Sequence, residues 1–256
     1  MSSPELLQLE YDTDAGFGTR ARLGLIVLES DQTIEAEARL LNVPGVDFYH
    51  SRIANAMEVT PDTLTEMRER LPAAAALLAP EFEFDAIGYG CTSAATLIGT
   101  EGVADCIHAA HPGVASSNPI AAAVAAFHAL DAQRIAVVTP YSAEVTAPIV
   151  QHFHDAGLDV SAVGSFLESS DLVVARITRE SVIQGVRTVA AQAPCDAVFV
   201  SCTSLRLLDV AHQIEAEVDK PVVSSNMALF WHLLRLAKVD DDLGQHGRLF
   251  SIGLPG

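Results

Sequence analysis

The chain spells DAIGYGCTS at residues 85–93 and DAVFVSCTS at 196–204. In each, a strand-like apolar run ends in a cysteine, a threonine and a serine. A thiol, with an ordinary pKa near about 8.5, is an acid, and once ionised it is a base or a nucleophile. Two thiols facing one pocket from opposite sides, Cys91 and Cys202, could remove a proton from one face of a carbon and return one to the other. That exchange calls for no metal and no organic cofactor. Thr92, Ser93, Thr203 and Ser204 follow as hydroxyl donors at predicted helix starts, where backbone N–H groups point the same way. Such donors could hold a substrate carboxylate and spread charge developing beside it.

Positioning these groups falls to an alternation of short apolar runs and longer Ala- and Leu-rich stretches, the pattern of βαβ units around parallel sheets. Strands are predicted at 22–28, 46–53, 84–90, 113–117, 134–140, 158–166, 195–201 and 221–225. Helices are predicted at 60–80, 94–109, 119–130, 142–156, 178–193, 205–217 and 227–238. Thr60, followed by Pro61, reads as an N-cap, as do Ser142 and Thr178. In open parallel sheets ligands bind beyond the carboxyl ends of the strands, which is where Cys91 and Cys202 stand.

The halves repeat. RLGLIVL at 22–28 is echoed by RIAVVTP at 134–140, and Arg22 precedes Cys91 by 69 positions while Arg134 precedes Cys202 by 68. After each cysteine the match resumes, VASSN at 114–118 answering VVSSN at 222–226. Three landmarks in one order indicate duplication. The expected fold is α/β, with two pseudo-symmetric Rossmann-like lobes, parallel sheets and an active site in the cleft between them. Residues 1–120 with 221–256 are assigned to the first lobe and 121–220 to the second.

Composition bounds the partners. A formal charge of -18 over 256 residues repels phosphate backbones and anionic lipid, so neither nucleic acid nor a membrane is expected. MSSPELLQLEYDTDAGFG has no basic stretch leading into an apolar core, and a cytoplasmic location is expected. Cys106 and Cys195 read as buried small hydrophobes, and no C-x-x-C pair suggests zinc. The histidines of HAAHP (108–112) and HFH (152–154) lack ligand partners at matching spacing, so no metal is assigned. Gly88 and Gly90 lack the third glycine of a dinucleotide fingerprint. Asn118 and Asn226 read as helix N-caps, and Arg52 and Arg176 as surface partners of acids.

GLIVLESDQTIEAEA, GYGCTSAATLIG, TPYSAEV and VSCTSLRLLD resemble the aspartate/glutamate racemase superfamily over roughly Leu23 to Leu236. Within it they are similar to maleate cis-trans isomerases, arylmalonate decarboxylases and, nearest in motif, the racemase-like proteins of ectoine utilisation. The resemblance implies a cofactor-independent isomerase or racemase acting on a small carboxylic acid, and a homodimer. It places Cys91 as nucleophile, Cys202 as acid/base partner and Tyr141 as a substrate-steadying residue. Arylmalonate decarboxylases keep only the second cysteine, so Cys91 argues against that activity. Two asparagines of the maleate enzymes do not carry over, their places falling on Asp31 and Asp171. Since an aspartate repels a substrate carboxylate, this favours a substrate with an ammonium or amide N–H, an amino-acid derivative of ectoine catabolism, over maleate. Two lobes around a small molecule also describe a non-catalytic binding protein, which would have no need of paired thiols.

Overall fold

The structure, a computed structural model, describes residues 4, 6–56 and 60–254. Of the amino-terminal stretch read for a leader, residues 1–3 and 5 lie outside the described residues. The first half forms β1 (Ala21–Leu28), α1 (Ile34–Leu41), β2 (Val46–Ile53), α2 (Pro61–Thr65), α3 (Met67–Ala76), β3 (Ala86–Gly90), α4 (Thr92–Ile98), α5 (Thr100–His108) and β4 (Ala115–Ser117). After α6 (Pro119–Ala129) come β5 (Arg134–Thr139), α7 (Ala143–Asp155), β6 (Asp159–Ser165), α8 (Asp171–Val174), α9 (Arg179–Gln192), β7 (Ala197–Val200), α10 (Ala211–Val218), β8 (Val222–Ser224) and α11 (Ser225–Leu236).

Two parallel sheets result, ordered β2-β1-β3-β4 and β6-β5-β7-β8, the same winding twice. Both cysteines therefore follow a central strand. The repeated aspartate of the DA motif has a shared task. Asp85 Oδ2 accepts the Arg22 N–H at 2.8 Å, and Asp196 Oδ2 accepts the Arg134 N–H at 2.8 Å. Their own N–H groups donate to Arg22 O at 2.9 Å and to Arg134 O at 2.7 Å. Each aspartate thus ties its strand into register with the neighbouring central strand before the apolar run begins.

Leu23, Leu25, Ile26 and Val27 of β1 and all of β7 are fully buried, as strands covered by helices on both faces must be. In the second lobe Phe127, Phe153 and Phe199 meet edge to face with centroids 5.3–6.1 Å apart. Gly88 lets α11 lie directly on β3, since a Cβ there would stand 2.9 Å from Leu233 Cδ1 and 3.1 Å from Leu229 Cδ1. Helix α11 also packs against β4 of the first sheet and against α6. β8 pairs with β7 of the second sheet.

The eight predicted strands form, each within a few residues of its expected bounds. The predicted helices at 60–80 and 94–109 each divide in two, and α1 and α8 arise where no helix was expected. Thr60, Ser142, Thr178 and Asn118 cap as predicted, their side chains accepting from Thr63, Val145, Ser181 and Ala121 N–H groups. Asn226 does not. Ser224 caps α11 instead, accepting the Met227 N–H at 3.1 Å, and Asn226 stands inside the helix.

Candidate active site

Cys91 occupies the N-cap position of α4, immediately beyond β3. Its Sγ lies 3.8 Å from Ser93 Oγ. Cys202 follows β7 in a different setting, with φ at +118°. Side-chain-bearing residues adopt such backbone at a cost of about 1–3 kcal/mol, and only when their surroundings enforce it. Ser225 supplies part of that enforcement. Its Oγ accepts the Cys202 N–H at 2.9 Å and the Thr92 hydroxyl at 2.7 Å, so one buried hydroxyl joins the two cysteine segments. Ser225→Ala leaves the Cys202 N–H unpaired, and denaturant unfolding should show a loss of about 1–3 kcal/mol.

Thr203 and Ser204 were expected to open a helix, and they do not. Residues 203–210 form turns, and α10 begins only at Ala211. Glu37 of α1, buried in the other lobe, accounts for this. Its Oε1 accepts the Leu207 and Leu208 N–H groups at 2.8 and 2.9 Å, while its Oε2 accepts Asn226 Nδ2–H at 2.8 Å. Asn226 Nδ2 also donates to Thr203 O at 2.8 Å, and the Thr33 hydroxyl donates to Ser204 O at 2.9 Å. The loop behind Cys202 is therefore fastened to the first lobe by α1 and α11. With no helix start at this position, the local donor to Cys202 Sγ is the Ser204 N–H at 3.4 Å.

Both thiols line one cavity of about 30 Å³. That is room for roughly one water, so a substrate of several carbons must displace part of the wall. Thr92, Ser93, Tyr141, Asp171 and Thr203 line it too, with Leu28, Asn55, Ala56, Thr63, Leu64 and Met67 closing the remainder. No Lys, Arg or His is among these residues. Seven of the nine predicted site residues thus converge. Ser204 lies behind the wall, its hydroxyl donating to Asp171 Oδ1 at 2.9 Å, and the Ser30 hydroxyl donates to Asp171 Oδ2.

Asp31 is also outside the cavity lining. Its Oδ1 accepts the Thr33 and Ile34 N–H groups at 2.7 and 2.8 Å, securing the first turn of α1, while Oδ2 is buried without a hydrogen-bond partner. Burial lifts its pKa from 3.8 to about 6 against the pull of those two N–H groups and of the Thr203 hydroxyl. The folded state thus holds this proton more tightly than the unfolded chain, so its contribution is complete below pH 3.8 and is lost as pH rises through about 6. Asp31→Asn keeps an acceptor and removes the charge. It should raise unfolding free energy at pH 7.5 by up to about 3 kcal/mol, with the gain gone by pH 3.5, as measured in urea at both pH values.

Burial pushes the Cys91 thiol up to about 11 and the Cys202 thiol up to about 12. The next cause differs between them. At Cys202 it is the negative charge of Asp171, whereas at Cys91 the Ala94 N–H and the Ser93 hydroxyl pull the other way. Tyr141 is raised mainly by its own burial and next by the neighbouring Cys202 and Cys91.

Sequence reasoning missed Glu37, Ser30, Asn55 and the bridging role of Ser225. Only Ser225 carried a signal, the repeated SSN run. Elsewhere, His108 and His111 face the carbonyls of Val114 and Ala75, and no group of three or more potential metal ligands occurs among the described residues. Cys106 and Cys195 are buried free thiols outside the cavity lining. Arg52 pairs with Glu35 and donates to the carbonyls of Leu28, Glu29 and Asp31. Among the described residues no helix is long and apolar enough to cross a membrane.

Known proteins share this fold. The maleate isomerase of Nocardia farcinica is 29% identical over 243 residues, spanning 89% of this chain and 94% of its own. A solved structure of the Nocardia farcinica enzyme, a cysteine-to-serine variant with a covalently bound succinylcysteine intermediate, superposes with a TM-score of 0.81 at 25% identity, covering 90% of this chain and 98% of that one. The maleate isomerase Iso of Pseudomonas putida gives a TM-score of 0.77 at 26% identity, covering 90% and 98%. The profile of the family described as arylmalonate decarboxylase matches residues 23–250. This chain belongs to that family, within the aspartate/glutamate racemase-like superfamily.

Proposed function

We propose that this chain is an isomerase acting on a small carboxylic acid through Cys91 and Cys202 without a cofactor, and that its chemistry is of the maleate cis-trans type. The observation that carries the reading is the meeting of two buried thiols, one behind each central strand, on a single cavity. In this scheme Cys91, a thiol at rest, first gives its proton to solvent as the substrate enters, and its Sγ, now a thiolate, bonds to one alkene carbon while the π bond breaks. Cys202 gives its proton to the neighbouring carbon, where the adjacent carboxylate has taken up the charge. Rotation about the new single bond brings that carbon's original hydrogen to Cys202, which takes it as the C–S bond breaks, and the trans alkene leaves carrying the hydrogen that Cys202 delivered. No net oxidation occurs. Asp171, which raises Cys202 more prominently than Cys91, suits Cys202 to the acid role and Cys91 to the nucleophile. The Ser93 hydroxyl and the backbone N–H groups of Thr92 and Ser93 at the start of α4 are assigned to the substrate carboxylate, and Tyr141 to steadying it.

A second reading, racemisation or isomerisation of an amino-acid derivative of ectoine catabolism, is favoured by one feature. Asp171 is a buried carboxylate on a wall that carries no cation, which suits a substrate ending in ammonium or amide N–H better than a dianion. Proton NMR of maleate incubated with the protein separates the two: fumarate formation supports the first, whereas α-proton exchange confined to amino-acid derivatives supports the second. Binding of either ligand without turnover would instead indicate a receptor. A homodimer and a cytoplasmic location belong to the same proposal and are tested by sedimentation and by fractionation.

A further inference from the structure

Tyr89 is one of the largest fully buried side chains in the protein, and its hydroxyl has no hydrogen-bond partner. A buried, unpaired hydroxyl is a standing loss of stability, and phenylalanine would fill the same space without it. Its place in the chain suggests what it is for. Tyr89 is the next-to-last residue of β3, and residues two apart on a strand share a face, so its ring is directed to the same side as Cys91. The Cys91 N–H donates to Tyr89 O at 3.1 Å, drawing the two residues together where the strand ends.

We propose that Tyr89 is a positioning residue for Cys91, its hydroxyl kept unpaired in the resting thiol state so that it can donate to the thiolate. The sulfur of a neutral thiol is a weak acceptor, whereas a thiolate in a closed, dry site is a strong one. Tyr89 is one of the groups that pull the Cys91 thiol down, beside the Ala94 N–H and the Ser93 hydroxyl, against burial and the charge of Asp171. Facing Tyr89 itself are Cys91 and Cys106 of α5, whose sulfur is turned to Arg68 O at 3.6 Å. Cys202 has its own phenol in Tyr141, which also feels the charge of Cys91. Each duplicated half thus offers one tyrosine to one thiol, although the two tyrosines come from different places in the repeat.

The inference rests on the reading of Cys91 as a reactive thiol, but its test does not require turnover. The purified Tyr89→Phe protein is alkylated with iodoacetamide across a pH series, with the label on each cysteine peptide followed by mass spectrometry. The expected result is a Cys91 rate roughly tenfold lower at a fixed pH below its midpoint, with that midpoint displaced upward, while Cys202 is unchanged. Thermal unfolding should show a melting temperature equal to or above that of the parent. Tyr141→Phe should move Cys202 more than Cys91. An unmoved Cys91 profile would overturn the inference and leave Tyr89 as packing. So would failure of Tyr89→Phe to fold, because an unpaired hydroxyl supports no fold. A shifted Cys91 profile in a protein that turns over none of the substrates tried would uphold the inference while the functional proposal fails.

Discussion

Cys202→Ser should lower kcat by about a thousandfold or more, with the dissociation constant of the substrate changed by less than about threefold. A serine hydroxyl is a far weaker acid than a thiol and similar in size, so the cavity wall survives and only proton transfer is lost. Cys91→Ser should lose as much, by removing the nucleophile. The variant pair should also be non-additive, because two groups acting on one substrate fail as a unit. Changes at Cys106 or Cys195, which lie outside the cavity, should leave turnover within about twofold. Steady-state kinetics with a separate calorimetric measurement of binding checks all four. Parallel loss of binding and turnover in the Cys202 variant would show that the thiol shapes the pocket instead of doing chemistry in it.

Asp171→Asn is the second large effect. Asp171 has its two oxygens occupied by the Ser30 and Ser204 hydroxyls and lines a cavity that has no cation among the described residues. Two like charges about 4 Å apart at an effective dielectric near 20 repel by about 4 kcal/mol. Asparagine has the same shape, no charge and two N–H donors. For a dicarboxylate, kcat/KM should rise by about tenfold to a hundredfold, and for a substrate ending in ammonium it should fall by a similar factor. Removal of the charge should also let the Cys202 thiol ionise at lower pH, since Asp171 is the next cause after burial of its elevation. If maleate and an amino-acid derivative respond identically to the substitution, Asp171 does not face the substrate's distal end.

The architecture was largely legible because the sheets advertise themselves. Strands such as LGLIVL in β1 and AVFV in β7 are unbroken apolar runs, and the repeated DA, CTS and SSN landmarks set the order in which they wind. Short polar helices were harder to see. Helix α1 is eight residues long and carries Glu35 and Glu37, and its periodicity is too brief to stand out. The late start of α10 could not be read locally at all, since it follows from Glu37 capturing N–H groups about 170 positions away.

The same division holds at the site. Cysteines, hydroxyls and Tyr141 were visible as residue types at strand ends, and seven of nine predicted residues reach the cavity. The helix-start role of Asp31 was not read, although an acidic residue three positions before Ile34 is what a helix start needs, and its Oδ1 accepts the first N–H groups there. Asn226 was misread for the converse reason, its cap position having gone to Ser224 so that the amide was free to bridge the lobes. Tyr89 looked like core because it is core, and what sets it apart, a hydroxyl without a partner beside Cys91, exists only in three dimensions.

The most direct test of two thiols serving one substrate is carbon-bound deuterium uptake in heavy water. Maleate and a panel of amino-acid derivatives would be incubated with the parent protein, Cys91→Ser and Cys202→Ser, and followed by NMR. The parent is expected to label at least one substrate at carbon, with either single substitution cutting the rate by about a thousandfold. Undiminished labelling in either variant would contradict the account.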